Sequence, residues 1–148
     1  VKLNITGDKQ LEAAFCEMEG DSFIVQKMAP PGRELIIGAR ADEEFGPVIL
    51  LGLGGIFAEL LKDVSMRILP IDREIAREMI NQLRGAALLK GFRGQQAADL
   101  EALEETLLAV SRLCVERSDI TNLDINPLIL YEEGRGCVAV DVKLELTV

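Results

Sequence analysis

The sequence predicts an α+β fold in which a mostly antiparallel β-sheet is flanked by helices. Segments with strand character and segments with helical periodicity are grouped along the chain more than they alternate, which disfavours a parallel βαβ arrangement. Two apolar segments near the C-terminus, LDINPL at 123–128 and VAVDVK at 138–143, flank a turn sequence around 132–136 and so predict an antiparallel pair. The 148 residues are enough for a real core, and we expect a single domain over 1–148.

The first third of the chain predicts four strands and one helix. The helix, over 10–18, would bury an apolar stripe formed by Leu11, Ala14, Phe15 and Met18. A turn at 29–32, with the sequence APPG, separates the early elements from the later strands. The predicted strands lie at 1–5, 22–28, 33–40 and 45–51.

The longest helices are predicted in the second half of the chain. Asp72 is placed to cap a helix over 73–84, which Gly85 would end. Asp99 starts the longest helix, which continues to about Glu116. The inward residues of the two helices are predicted to be Ile75, Met79, Ile80 and Leu83, and Leu100, Leu103, Leu107, Val110, Leu113 and Cys114.

Composition excludes several classes of function. The net charge of −9 argues against nucleic acid and against an anionic membrane surface as partners, so an anionic substrate would need a locally basic pocket or a metal ion. No apolar run reaches the length of a membrane span, and no signal peptide is evident. Three widely spaced cysteines fit a cytoplasmic protein without disulfides.

The chain contains no histidine. A Ser-His-Asp triad, a Cys-His pair and a histidine-ligated metal are therefore all excluded within this sequence. Any step that needs an imidazole must be supplied by another domain or another chain.

The two C-terminal segments suggest a metal site. Each is an apolar strand into which a residue with a side-chain oxygen is inserted, Asn126 in the first and Asp141 in the second. If the strands pair, an amide and a carboxylate can lie side by side on one face of a sheet. Such hard oxygen ligands suit Mg2+, which takes one or two protein groups and completes its shell with water and phosphate oxygens.

A glycine cluster, GLGG at 52–55, follows the strand predicted at 45–51 and precedes an apparent short helix. Its glycines permit positive φ and a close approach of backbone N–H groups to a ligand oxygen. A tight strand-to-helix turn that needs glycine only for packing is the alternative. The spacing does not match the P-loop, and it is not a clean GxGxxG motif.

Five segments in a fixed order link the chain to a known family. They are VQKM at 25–28, GREL at 32–35, FGP at 45–47 with GLGGIFAELLKD at 52–63, LDINPL at 123–128, and VD at 140–141. Over nearly the whole chain they closely resemble the ATP-grasp domain of NDP-forming acyl-CoA synthetases. ADP-forming acetyl-CoA synthetase is the nearest member, and the β subunits of succinyl-CoA synthetases are more distant relatives. The resemblance implies an enzyme that reversibly couples acyl-CoA thioester cleavage to nucleotide phosphorylation through a phosphohistidine.

The resemblance also implies roles for individual residues. Asn126 and Asp141 match Mg2+ ligands. Glu59, which matches the glycine-rich element near the phosphates, and Asp124, which lies where succinyl-CoA synthetases carry a glutamate that orients the phosphohistidine, are the expected catalytic residues. Asp124 is shorter than the glutamate that succinyl-CoA synthetases carry at this position. The expected nucleotide contacts are Gln26, Lys27 and Met28 at the adenine, Glu34 facing the nucleotide, and Gly54 and Gly55 near the phosphates. Solvated surface roles remain the alternative for Glu34, Glu59, Lys143 and Arg93.

The implied cofactors are ATP/ADP and Mg2+, with CoA on a partner domain. The expected partners are a CoA-binding domain or α subunit that carries the phosphohistidine, and the N-terminal, lysine-bearing ATP-grasp subdomain. We expect this sequence to be the C-terminal portion of the ATP-grasp domain and to be inactive alone. Two other classes stay open: a non-catalytic, synthetase-like regulatory module of a protein lysine acetyltransferase, and a purely structural subunit.

Overall fold

The computed structural model describes residues 1–55, 63–92 and 94–147. The chain separates into two compact units, Val1–Pro30 and Pro31–Val148. Among the described helices, none combines the length and the apolar character needed to traverse a lipid bilayer.

The first unit contains helix α1, Asp8–Glu17. Only Ala14 of its predicted apolar stripe is buried, while the Phe15 ring packs edge-on against Phe23 with 4.9 Å between centroids. The strands predicted at 1–5 and 22–28 are wrong, because neither segment has regular structure. Ile24 and Val25 illustrate the reason: their apolar side chains are exposed, and no described strand supplies the hydrogen bonds that a β-strand needs.

The second unit is built on a single sheet of six described strands. Its elements are β1 (Arg33–Asp42), β2 (Gly46–Leu53), β3 (Val64–Ile68), α2 (Arg73–Gln82), α3 (Ala86–Leu89), α4 (Leu100–Glu116), β4 (Ile120–Leu130), β5 (Cys137–Ala139) and β6 (Val142–Leu146). The strand order is β3-β2-β1-β4-β5, and β6 also pairs with β4. Every pairing is antiparallel, which confirms the predicted α+β class.

The hydrophobic core lies between one face of the sheet and the helices. Alternation along β1 and β2 sends every second side chain inward, and Leu35 and Leu51 are fully buried. Met79 of α2 and Leu107 of α4 are buried in the same cluster. The helices therefore cover one face of the sheet, and the opposite face is available for polar side chains.

The two capped helices begin where the sequence predicts. Asp72 accepts a hydrogen bond from the Ile75 N–H at 2.9 Å, and Asp99 accepts one from the Ala102 N–H at 3.1 Å. Helix α2 ends at Gln82, slightly before the predicted Gly85. The sequence did not predict β3 or α3.

The open face of the sheet, opposite the helices, changes character from one edge to the other. On β3 it presents three half-exposed apolar side chains, Val64, Met66 and Ile68. On β4 and β6 it presents polar and charged side chains. The candidate site residues lie toward this polar side.

Candidate functional site

Three successive cross-strand pairs line up polar residues of β4 with residues of the last strand segment. Asn122 lies opposite Glu145 and Asp124 lies opposite Lys143. Directly opposed residues in an antiparallel pair project to the same face of the sheet. The pairs therefore form a polar ladder on the open face, and its next rung is Asn126 with Asp141.

The Asn126–Asp141 rung is defined by the backbone. The Asn126 N–H donates to the Asp141 carbonyl oxygen at 3.0 Å, and the Val140 N–H donates to the Pro127 carbonyl oxygen at 3.0 Å. Asp141 lies in the two-residue gap between β5 and β6, and a cis peptide joins Asn126 to Pro127. Both candidate ligands are exposed. The structure thus brings the backbones of Asn126 and Asp141 side by side and leaves both residues exposed at the surface.

The donor set fits a magnesium ion. In the residues that the structure describes, no group of three or more Cys, Asp or Glu side chains could hold a metal ion. Zinc and similar ions would need such a group, whereas Mg2+ usually keeps several waters and takes only one or two protein oxygens. The oxygens of Asn126 and Asp141 match that requirement.

Lys143 connects the rungs of the ladder electrostatically. Its Nζ lies 2.7 Å from the Glu145 carboxylate. The hydrogen bond that Lys143 donates to Glu145, the charge of Glu145 and then the charge of Asp124 raise the pKa of Lys143. The same contact with Lys143 lowers the pKa of Glu145. Lys143 therefore stays protonated and offsets part of the negative charge beside Asp124, which agrees with the surface-charge alternative.

Glu34 and the glycine cluster lie together at another end of the sheet. The Gly54 N–H donates to the Glu34 carbonyl oxygen at 2.7 Å, which continues the β1–β2 pairing past Leu53. A Cβ atom on Gly55 would lie 3.3 Å from the Glu34 carboxylate, and Gly55 has φ +62°. Alternation from buried Leu35 places Glu34 on the open face. The structure thus brings together two motifs that are about 20 residues apart in the sequence.

A cavity of about 320 Å3 lies beside this contact. Its volume is that of a small ligand pocket. The lining residues are Gly32, Arg33, Glu34, Leu53, Gly54, Gly55, Leu88 and Leu89. Glycine backbone, one carboxylate and one guanidinium therefore surround a partly apolar space.

The other predicted site residues fall in three places. Gln26, Lys27 and Met28 belong to the first unit, where they are exposed on a segment without regular structure. Asp124 is half-buried in the polar ladder. Glu59, the short helix expected after the glycine cluster, and Arg93 lie outside the described residues.

Arg33 has structural contacts that sequence reasoning missed. It was noted only as part of the GREL motif, yet it lines the cavity and bonds to two carbonyl oxygens in a distant segment. No local pattern signals such contacts, because its partners lie 55 and 63 residues away.

Comparison with known proteins identifies the family. The ATP-grasp domain family matches residues 1–146. The β subunit of acetate–CoA ligase (ADP-forming) II from Pyrococcus furiosus is 39% identical over 158 residues, which cover 99% of this chain and 67% of that protein. Acetate–CoA ligase (ADP-forming) I from Archaeoglobus fulgidus is 41% identical over 149 residues, 93% of this chain but 22% of that protein.

Comparison with solved structures leads to the same family. An acetyl-coenzyme A synthetase 1 of Ca. Korarchaeum cryptofilum, in complex with coenzyme A and Mg-AMPPCP, is 37% identical with a TM-score of 0.85, covering 99% of this chain and 67% of that one. Its apo form is 39% identical with a TM-score of 0.86, covering 97% of this chain and 69% of that one.

The chain therefore belongs to the ATP-grasp domain family, and its relatives include the β subunits of ADP-forming acetate–CoA ligases. This confirms the predicted family and fold. The chain spans 67% of the Pyrococcus subunit and 22% of the Archaeoglobus ligase.

Proposed function

We propose that this chain is the nucleotide- and Mg2+-binding part of an ADP-forming acyl-CoA synthetase. That enzyme couples acyl-CoA thioester formation or cleavage to phosphoryl transfer between ATP/ADP and a phosphohistidine. The observation that supports the proposal is the backbone hydrogen bond between Asn126 and Asp141, which brings two exposed residues with side-chain oxygens next to each other in an ATP-grasp domain. A relative of the same fold, covering 99% of this chain, is known in complex with coenzyme A and Mg-AMPPCP.

The residues of the chain divide into four groups in this proposal. Asn126 and Asp141 would hold Mg2+, which supplies charge neutralisation of the phosphates when it is bound. Glu34, with the glycine backbone at Gly54 and Gly55, would face the nucleotide from the cavity side. Gln26, Lys27 and Met28 would line the adenine, and Glu59 and Asp124 would lie near the transferred phosphate.

The proposal requires further protein outside this chain. A sequence without histidine cannot carry the phosphohistidine, so that group must come from a CoA-binding domain or an α subunit. The lysines that hold the phosphates would come from the N-terminal ATP-grasp subdomain, with residues 1–148 as the C-terminal portion. The chain alone is then expected to be inactive, because phosphoryl transfer depends on electrostatic stabilisation from both sides of the phosphates.

Replacing Asp141 with Asn in the full-length protein tests the proposal. We expect kcat/KM for ATP formation from acetyl-CoA, ADP and phosphate to fall about a hundredfold, which corresponds to roughly 3 kcal/mol of lost charge stabilisation. Because Asp141 is exposed, the free energy of unfolding should change by no more than about 0.5 kcal/mol. Chelation of Mg2+ with EDTA should abolish the activity of the unmodified protein.

Glu145→Gln is the matched control. It removes a carboxylate from the same face of the same strand segment, two rungs from the candidate ligands. We expect it to retain activity within about threefold, since a single exposed ion pair contributes at most about 1 kcal/mol. Near-normal turnover of the Asp141→Asn variant at every Mg2+ concentration would refute the metal-ligand assignment.

A further inference from the structure

Arg33 joins the start of β1 to a distant loop. Its Nε donates to the Leu88 carbonyl oxygen at 2.9 Å, and its Nη2 donates to the Gln96 carbonyl oxygen. One acceptor lies just before a loop at 90–97 and the other near the end of that loop, of which all but Arg93 is described. The planar guanidinium fork thus connects both ends of one loop to the sheet.

The backbone of the loop is closed at the same point. The Ala98 N–H donates to the Leu89 carbonyl oxygen at 2.8 Å. Gly91, with φ +94°, allows the chain to turn there, since a Cβ atom on it would lie 2.9 Å from the Gln95 carbonyl oxygen. The 90–97 loop therefore has a defined neck, and Arg33 is the side chain that attaches this neck to β1.

The neck of the loop is also a wall of the cavity. Leu88 and Leu89 line it on one side, and Glu34 with Gly54 lines it on another. Arg33 and Glu34 are adjacent in the sequence. Arg33 bonds to the Leu88 carbonyl oxygen on one wall of the cavity, and Glu34 forms part of the other wall. The guanidinium of Arg33 is held by hydrogen bonds to these two backbone carbonyl oxygens, on Leu88 and Gln96.

We propose that Arg33 is a positioning residue that holds the Leu88–Leu89 wall at a fixed distance from Glu34 and the glycine turn, and thereby sets the affinity of the cavity for the nucleotide. The inference rests on the proposed function, because it takes the cavity beside Glu34 and Gly54 to be part of the nucleotide site. It assigns to Arg33 no contact with the reacting atoms.

Arg33→Lys in the full-length protein is the test. Lysine keeps the positive charge but presents a single nitrogen, which cannot donate to the Leu88 and Gln96 carbonyls in the fork geometry. Arg40→Lys is the matched control on the same strand, since Arg40 is exposed and pairs only with nearby Asp42 among the described residues.

Hydrogen exchange gives the structural readout. We expect the Ala98 amide to exchange at least about tenfold faster in Arg33→Lys, while the Gly54 amide, bonded to Glu34, keeps its wild-type rate. Steady-state kinetics gives the functional readout: KM for ADP should rise about tenfold with kcat changed by less than about twofold. Arg40→Lys should match the wild type in both measurements.

The outcomes separate the two proposals. Unchanged Ala98 exchange would overturn the positioning role, as would faster exchange with unchanged KM for ADP. A fall in kcat and in melting temperature at constant KM would show a purely structural role and would also overturn it. Wild-type protein that lacks ADP-dependent turnover would overturn the proposed function, and with it this inference, before any substitution is made.

Discussion

Gly54 occupies a position where one additional carbon atom has no room. A Cβ atom there would lie 2.8 Å from the Glu34 carbonyl carbon and 2.9 Å from both its Cβ and its carbonyl oxygen. Carbon atoms in ordinary contact are about 3.5–4.0 Å apart. Because the obstructing atoms include backbone, a rotamer change cannot relieve the overlap, and Gly54→Ala must move β2 away from β1 or displace Glu34.

The size of the effect follows from two contributions. Overpacking of this kind costs about 1–3 kcal/mol. The separation also weakens the hydrogen bond from the Gly54 N–H to the Glu34 carbonyl oxygen, which contributes about 1 kcal/mol. We therefore expect Gly54→Ala to lower the free energy of unfolding by about 2–4 kcal/mol, equivalent to a fall in melting temperature on the order of 10 °C.

Gly38→Ala is the control for this substitution. Gly38 lies on the same sheet, and a Cβ atom on it would approach nothing closer than 3.9 Å. Alanine fits this site and reduces the entropy of the unfolded chain, so the change should be within about 1 kcal/mol of zero. Urea denaturation of both variants, with the midpoint compared at constant m-value, measures the difference.

The functional part of the prediction concerns Glu34. If Gly54→Ala displaces Glu34, KM for ADP in the full-length protein should rise by at least about tenfold, whereas Gly38→Ala should leave it unchanged. A Gly54→Ala variant that is as stable as Gly38→Ala would refute the reasoning, since it would show that the two strands separate at no measurable cost.

Two further predictions concern buried carboxylates. Hydrogen bonds from the Gly136 and Ala102 N–H groups hold the pKa of Asp99 below its ordinary value, so the stability that Asp99 contributes is present above about pH 4 and is lost as the pH falls through the folded-state pKa. Asp99→Asn should lower the free energy of unfolding by about 1–2 kcal/mol at pH 7 and by much less at pH 3, as measured by urea titrations. An equal loss at both pH values would contradict this. Glu104 accepts hydrogen bonds from Arg73 and Arg77, which join α4 to α2. Thermal unfolding should show that Glu104→Gln loses about 1–2 kcal/mol of unfolding free energy, whereas the exposed Glu105→Gln loses under about 0.5 kcal/mol. Equal losses would argue against a stabilising contribution of the buried Glu104 contacts.

Local signals account for what the sequence predicted well. The caps Asp72 and Asp99 act within three residues of themselves, and the apolar periodicity of α2 and α4 is a property of each segment alone. The proximity of Asn126 and Asp141 was predictable for a similar reason, because two apolar segments joined by an evident turn indicate an antiparallel pairing. The shared face of their side chains and their role as metal ligands stay predictions.

The orientation of strand β3 could not be predicted because its pattern is inverted. Its apolar residues Val64, Met66 and Ile68 lie on the open face, while Ser65 and Arg67 point toward α2. Ser65 is buried with its hydroxyl 3.2 Å from the Gln82 side-chain oxygen. Alternation alone would have placed the apolar side chains in the core.

The prediction of a strand at 22–28 was wrong for a different reason. It has the composition of a strand, yet strand formation depends on a partner, and residues around Ile24 have none among the described strands. The hydrogen bonds of Arg33 likewise depend on residues that are distant in the sequence. In each case the missing information was the identity of a neighbour, which periodicity and composition do not contain.

The charge of the open face explains why a cation is central to the proposed function. Lys143 is already paired with Glu145, so the carboxylates of Glu34, Asp124 and Asp141 leave this face negative. An approaching nucleotide phosphate would be repelled by a protein whose net charge is −9. A divalent ion held by Asn126 and Asp141 reverses the sign of that interaction locally, because it is then the largest charge in the site. On this reasoning the acidic face is compatible with a nucleotide ligand only as a metal-dependent surface.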